Sequence, residues 1–224
     1  MSASAKKTPK TPAAPLAGTN SPAAVPAQAQ IIAEARSHFF AHGFRGVTMD
    51  DLAVELGMSK KTLYAHFPSK TALLEAVIRE KMQRVQADFE RILAESTNDV
   101  LATLHALLAC LQTHTAEIQP AFFRDIRRET PELFAHVQSM RRENIHRTFG
   151  RVLADGRRAG VVRADIPIPV LLEILTTLAD SIVNPQKLGE LGLSVKDGVT
   201  AVLAVFLEGT LSNEGRTQKQ KAFL

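Results

Sequence analysis

Residues 48–69, TMDDLAVELGMSKKTLYAHFPS, contain two short helical patterns on either side of a glycine. Thr48 begins a capping box before the first pattern, and Ser59 can cap the second. Gly57 provides the C-terminal stop of the first helix, and Pro68 prevents simple continuation of the second. A connection of about three residues that includes a glycine is typical of helix-turn-helix units, so this segment predicts that motif.

The second helix of this motif presents a polar face. On a helical projection of residues 60–67, Leu63 and Phe67 lie together and mark the buried side. Lys61 and Ala65 point almost directly away from it. Lysine donates to guanine acceptors or to phosphate, and a small residue permits close approach and contact with a thymine methyl. Charge alone would favour an ordinary solvated face, whereas the combined spacing, caps and glycine turn favour a helix for the DNA major groove.

The predicted DNA-binding residues combine this outward face with the starts of the flanking helices, where free amides attract phosphate. They are Thr48, Ser59, Lys60, Lys61, Thr62, Tyr64, Ala65, His66 and Lys70. Lys61 projects from the centre of the face, so we expect it to reach base edges. Lys70 follows Pro68 at the side of the groove, so we expect it to bind phosphate.

Most of the remaining sequence also has helical periodicity, which predicts an all-α protein. Residues 1–27 are rich in alanine, proline, serine and threonine and lack acidic residues, which indicates a disordered basic tail. Residues 28–75 are expected to form a three-helix DNA-binding domain, and residues 76–215 a second helical domain. Beyond residue 97, helical stretches are predicted at 99–114, 121–128, 131–158, 169–184 and 195–211.

Composition limits the other possibilities. The chain has 224 residues, a net charge of +4 and 5% aromatic residues, which suits a mildly basic helical protein. Its one cysteine cannot form an internal disulfide, so a reducing compartment and a cytoplasmic location are expected. No apolar run approaches the roughly 20 residues that cross a bilayer, so no membrane partner is expected.

Neither catalysis nor a cofactor is expected. The motifs HExxH, GxSxG, GxGxxG and GxxxxGK[ST] are absent from the sequence. His38 and His42 lie four residues apart without an evident third ligand, so no metal site is expected. Cys110 lies in an apolar helix, where a small buried hydrophobe is favoured over a redox sensor.

Residues 43–77, GFRGVTMDDLAVELGMSKKTLYAHFPSKTALLEAV, resemble the N-terminal domain of the TetR family of bacterial transcriptional regulators. The resemblance implies that three N-terminal helices bind double-stranded operator DNA. It also implies a helical C-terminal domain that holds a small-molecule pocket and dimerises through its last two helices. One position departs from the family pattern: the residue after Tyr64 is often larger, and here it is Ala65. The operator sequence therefore does not follow from the resemblance.

A homodimer is also indicated by the broad apolar surface of residues 169–184 and 195–211. The apolar residues on which this expectation rests are Leu171, Leu172, Ile174, Leu175, Leu178, Val202, Leu203, Val205, Phe206 and Leu207. The two recognition helices of such a dimer are expected about 34–36 Å apart, or a multiple of that distance.

The predicted effector is an unknown small molecule. Its binding residues are predicted to be Leu107, Leu111, Phe122, Phe123, Phe134, Met140 and Phe149, within or before an arginine-rich region whose charges are explained by ion pairing. The expected function is a repressor that is released from a palindromic operator by this ligand. Two alternatives remain open: a helical enzyme or small-molecule carrier with a vestigial helix-turn-helix, and a ligand-independent regulator with a filled C-terminal core.

Overall fold

The computed structural model describes the backbone of residues 27–96 and 99–222, and side chains as far as residue 219. Within these ranges the chain forms eleven α-helices and one isolated bridge between Val162 and Leu211. The all-α prediction is confirmed. The predicted disordered tail lies outside the described residues, except for Ala27, which begins the first helix.

The helices follow one another with short connections. The N-terminal ones are α1 (Ala27–His42), α2 (Met49–Glu55), α3 (Lys60–His66) and the long α4 (Lys70–Glu95). The next three are α5 (Val100–Ala116), α6 (Pro120–Glu129) and α7 (Pro131–Arg158). The last four are α8 (Ile168–Ile182), α9 (Pro185–Leu191), α10 (Val195–Thr210) and α11 (Asn213–Ala222).

The helix-turn-helix forms where the sequence predicts it, because its ends are capped. Thr48 and Asp51 form a complete capping box at α2, and the Ser59 side chain accepts a hydrogen bond from the amide of Thr62. After α2, Gly57 adopts a left-handed conformation with φ 60°. The amide of Met58 then bonds the carbonyl of Ala53 at 3.0 Å, which closes the turn.

A first core joins α1, α2 and α3 to the beginning of α4. Its fully buried side chains include Ile31, Phe39, Leu52, Leu63 and Leu74. Two residues of α6, Phe122 and Ile126, belong to the same cluster. Helix α4 is continuous across residues 75–76, where a domain boundary was predicted, and Val77 and Ile78 still pack into the first core.

A second core is formed by the end of α4 with α5, α7, α8 and α10. Leu107, Leu153 and Leu175 are among its most deeply buried side chains. Two helices were not predicted, α9 and α11. Helix α9 is short, but its start carries recognisable signals: Asn184 caps the amide of Lys187 and proline occupies the first turn.

The two apolar helices α8 and α10 bury much of their surface within the monomer. The buried residues include six on which the homodimer expectation rests: Leu171, Leu172, Leu175, Val202, Leu203 and Phe206. They are buried because α8 and α10 pack on each other and on α7 and α5. The homodimer through these two helices stays a prediction. Ile174 and Val205 remain 42% and 70% exposed.

The length and hydropathy of the described helices bear on membrane crossing. None is long and apolar enough by itself to cross a bilayer. Helices α8 and α9 together reach the required length and composition, but they bend by 70° relative to each other.

Candidate nucleic-acid interface and apolar cavity

Helix α3 exposes the face that the helical projection predicts. Leu63 is fully buried and Phe67 is 4% exposed, so the two anchor α3 on the first core. The side chains of Lys60, Lys61, Thr62, Tyr64, Ala65 and His66 are all exposed. The structure therefore brings the predicted contact residues of α3 together on one accessible surface.

The two lysines at the start of α3 differ in their surroundings. The Nζ of Lys60 lies 2.6 Å from Oδ2 of Asp50 on α2, and this hydrogen bond raises the pKa of the lysine. Lys61 forms no ion pair with any described residue. Lys61 is therefore the more available of the two for a nucleic-acid contact.

The predicted contacts Thr48 and Ser59 act as helix caps in the isolated chain. The Thr48 hydroxyl and the Thr48 amide both donate to Oδ2 of Asp51, at 2.7 and 3.0 Å, and these two bonds lower the pKa of Asp51. The hydroxyl also accepts a hydrogen bond from the Asp51 amide. The Ser59 hydroxyl lies 2.8 Å from that of Thr62. A phosphate contact from Thr48 would therefore draw its hydroxyl proton away from Asp51.

Lys70 begins α4, shortly after the end of α3, and is partly buried. Its Nζ sits 4.3 Å from the centre of the Phe44 ring, within the range of a cation–π contact. Burial lowers the pKa of Lys70, while Asp125, Glu129 and Asp51 oppose that change. Its predicted phosphate contact remains a prediction.

Helix α6 packs against α1 and contacts the loop that follows α1. The amide of Gln119 donates to the carbonyl of Phe40 at 3.0 Å, and the rings of Phe40 and Phe122 lie 4.7 Å apart. Oδ2 of Asp125 accepts a hydrogen bond from the amide of Arg45. These contacts could not be predicted from the sequence because they join segments far apart in the chain.

An apolar cavity of about 170 Å³ lies within the second domain. Its walls come from α4, α5, α6, α7, α8 and α10, with Phe89, Ile145 and Val199 among the lining residues. The cavity thus lies between α4, α5 and α7 and is closed further by α8 and α10.

Three of the seven predicted ligand-binding residues line this cavity: Leu111, Phe123 and Phe149. The other four lie elsewhere. Leu107 is buried in the second core, and Phe122 in the first. Phe134 packs against the first core, and Met140 also borders a separate surface groove between α4 and α7.

The charged groups at the cavity are already paired. Lys81 is 7% exposed and its Nζ bonds Glu117, while Arg141 bonds Asp180 on α8. Burial lowers the pKa of Lys81, an effect that the Glu117 contact opposes. In these two ion pairs the charged atoms point toward each other, so the surface of the cavity is largely apolar.

The sequence of this chain is similar to those of known regulatory proteins. The sequence model of the bacterial regulatory proteins of the tetR family matches residues 31–77. The chain is 29% identical over 160 residues to a helix-turn-helix transcriptional repressor of Streptomyces coelicolor, which covers 71% of this chain and 80% of the relative. It is 28% identical over 162 residues to the regulator UidR of Escherichia coli K12, covering 69% and 79% of the two chains.

Solved structures agree in fold. A TetR-family regulator from Agrobacterium tumefaciens superposes with a TM-score of 0.64 at 18% identity, covering 83% of this chain and 98% of that one. The ketosteroid regulator KstR2 of Mycobacterium tuberculosis gives a TM-score of 0.53 at 19% identity, covering 88% and 98%. These likenesses extend the match from the DNA-binding domain to the C-terminal helices.

Proposed function

Since the chain belongs to the TetR family of bacterial transcriptional regulators, we propose that it is a repressor that binds a palindromic operator as a homodimer. We further propose that a small apolar molecule releases it from the DNA. The observation that carries the DNA-binding part is the exposed face of α3, with unpaired Lys61 at its centre. Such a protein acts where the chromosome lies, in the cytoplasm.

Recognition would place α3 in the major groove. Lys61 can donate to guanine acceptors, and Ala65 permits close approach and contact with a thymine methyl. Tyr64, His66 and Lys70 lie around this face and supply donors to phosphates on either side of the groove. The phosphate contacts set the register, and the α3 face selects the sequence.

Dimerisation is supported by the apolar side chains that α8 and α10 leave uncovered. Val170 and Ile174 of α8 are 46% and 42% exposed, and Val205 of α10 is 70% exposed. A two-fold symmetric contact through this surface would present one α3 to each half of a palindrome. The two copies of α3 would then lie about 34–36 Å apart, or a multiple of that.

The cavity supports an uncharged, apolar effector. Its charged neighbours Lys81 and Arg141 are occupied by Glu117 and Asp180, so a charged ligand would have to displace an existing partner. A dry apolar cavity of about 150 Å³ accommodates benzene, and this one is of similar size. A cavity here also favours a ligand-responsive regulator over one with a filled core.

Two helices connect the cavity with the DNA-binding domain. Helix α4 lines the cavity with Val85 and Phe89 and packs into the first core with Leu74. Helix α6 lines the cavity with Phe123, while its neighbour Phe122 is buried in the first core. A ligand that binds more tightly to a conformation with misplaced α3 helices would shift the population away from DNA.

Selection from a random duplex library tests the DNA-binding proposal directly. We expect enrichment of a palindrome, and we expect the Lys61→Ala/Tyr64→Ala double variant to lose the enrichment while keeping the helical circular dichroism of the parent. The matched control is Lys187→Ala on α9, far from α3 in sequence. Enrichment of no common sequence by the parent chain would reject the proposal.

A further inference from the structure

Helices α4 and α5 bring together three side chains that metals commonly bind. They are Asp88 of α4 and Cys110 and His114 of α5, which supply a carboxylate oxygen, a sulfur and an imidazole nitrogen. These ligand atoms all lie within 4.8 Å of one another. The proposed DNA contacts use none of the three, and His114 is the one that also lines the cavity.

We propose that Asp88, Cys110 and His114 form a binding site for Zn²⁺. Mixed nitrogen, sulfur and oxygen ligation is characteristic of zinc, whereas magnesium and calcium select oxygen alone. Ligand atoms around a tetrahedral zinc lie about 3.3–3.7 Å apart. The distances between the three ligand atoms therefore need to change by only about 1 Å, which rotation of the side chains can supply.

The helices position the three ligands without help from a loop. Cys110 and His114 are four residues apart on α5, so they project from the same face of the helix. Nε2 of His114 already lies 2.8 Å from Oδ2 of Asp88 across the contact with α4. The imidazole side chain is 12% exposed and the carboxylate side chain 37%, which leaves an entry path from solvent.

The charges around the site fit a divalent cation. Oδ1 of Asp88 accepts a hydrogen bond of 2.9 Å from Arg91, so Oδ2 is the oxygen that turns toward the metal. Arg91 would orient this carboxylate as an outer partner of the metal. On binding, Zn²⁺ replaces the contact between His114 and Asp88, and the Cys110 thiol gives its proton to solvent. The two anionic ligands then balance the charge of the ion.

Three protein ligands leave a fourth position for water or another donor. The site adjoins the cavity through His114 and links α4 directly to α5. A bound zinc would therefore restrain α4, which also packs into the DNA-binding core, near the cavity wall.

Cobalt(II) provides a specific test, because a thiolate ligand gives an intense near-ultraviolet charge-transfer band and the chain has one cysteine. We expect the untagged chain to develop this band with one equivalent of Co²⁺ and to lose it when Zn²⁺ is added. Cys110→Ser should abolish the band. Asp88→Asn and His114→Ala should each weaken Co²⁺ binding more than tenfold, since even outer-sphere partners of a metal contribute about 10–100-fold.

His38→Ala is the matched control, because His38 belongs to a second carboxylate and imidazole cluster, with Glu34 and Glu55, that contains no thiol. It should leave the cobalt band and its affinity unchanged. Circular dichroism of each variant checks the fold, and competition of the parent chain with a chromophoric zinc chelator gives the affinity without any substitution. Absence of a thiolate band in the parent would overturn the proposal. An unchanged affinity in both Asp88→Asn and His114→Ala would also overturn it, because the thiol alone would then bind the metal.

Discussion

The carboxylate of Asp125 on α6 accepts a 2.9 Å hydrogen bond from the backbone N–H of Arg45, which lies 80 residues earlier in the chain. Arg45 belongs to the loop between α1 and α2. Two residues before Asp125 on the same helix, Phe123 lines the cavity. One short helix thus contacts both the loop that leads into the helix-turn-helix and the wall of the apolar cavity.

Asp125→Ala should destabilise the protein. A hydrogen bond to a charged group contributes about 1.5–3 kcal/mol, and the lower value is expected here because the Arg45 amide can be rehydrated. For a chain of this size, a loss of about 1.5 kcal/mol lowers Tm by about 3–6 °C. Thermal unfolding at matched protein concentration measures the change. Arg128→Ala, which removes a 74% exposed side chain from the same helix, is the control. Equal Tm values for the two variants would contradict the expectation.

Gly43→Ala should couple energetically to Asp125. Gly43 has φ 82°, and a Cβ added there would lie 2.6 Å from Oδ2 of Asp125. The left-handed conformation alone costs a non-glycine residue about 1–2 kcal/mol, and displacement of the carboxylate adds to this cost. In a double-mutant cycle, Gly43→Ala should therefore cost less in the Asp125→Ala background. Strict additivity of the two free energies of unfolding would show that the two residues do not interact.

The DNA-binding helices could be predicted because their signals are local. Capping by Thr48 and Ser59 and the conformation of Gly57 are determined by residues within a few positions of each other. The burial of Leu63 follows from helical periodicity. The exposure of the proposed contact residues on α3 follows from the same periodicity, because the side chains opposite Leu63 and Phe67 point away from the core.

The second domain was less predictable because its packing depends on distant segments. Leu175 and Ile174 are adjacent, similar in character and on the same helix, yet Leu175 is buried in the monomer and Ile174 is exposed. Sequence pattern alone does not decide which apolar face meets the monomer core. The Cys110–His114 spacing was visible in the sequence, but its third partner Asp88 comes from another helix.

Lys61→Ala and Lys70→Ala should affect DNA binding differently. Losing a base contact costs about 1–3 kcal/mol of discrimination, whereas losing a phosphate contact weakens binding to all sequences and lowers the salt slope by about 1. Lys61→Ala should therefore relax operator choice, and Lys70→Ala should weaken binding to operator and random DNA alike. Fluorescence anisotropy at several salt concentrations measures both effects.

Two controls accompany this comparison. Lys187→Ala removes a lysine from α9 and should leave both affinities unchanged. Loss of the Lys70 contact with Phe44 also removes a cation–π interaction of about 0.5–1 kcal/mol, so Tm must be recorded for each variant. If Lys61→Ala weakens operator and random DNA by the same factor, Lys61 binds phosphate and specificity rests with Thr62, Ala65 and DNA shape.

Val205→Glu should dissociate the proposed homodimer. Val205 is 70% exposed on α10, so a glutamate at this position would be well solvated in the monomer. In a symmetric interface the same carboxylate would be buried without a partner, which disfavours the dimer. Light scattering after size exclusion should give twice the 24.4 kDa chain mass for the parent and the single mass for the variant. Leu191→Glu, at an apolar side chain of α9 that is 52% exposed, should leave the dimer intact. A parent chain that is monomeric and well folded would rule out the dimer.

Ala179→Leu should fill the cavity without affecting DNA binding. Ala179 lies on α8 and lines the cavity, and the larger side chain adds three carbon atoms to a volume of about 170 Å³. Filling a cavity typically stabilises a protein by about 0.5–2 kcal/mol, which raises Tm here by a few degrees.

The same substitution tests whether the cavity is a binding site. Benzene, which a cavity of about this size accommodates, should raise the Tm of the parent chain and raise that of Ala179→Leu much less. Ala135→Leu adds the same atoms to an exposed position of α7 and serves as the control. Operator affinity should stay within about twofold of the parent in both variants, because neither residue is a proposed DNA contact. Equal Tm shifts by benzene in the two variants would place the benzene outside the cavity. It would also remove the support that the cavity gives to an apolar effector.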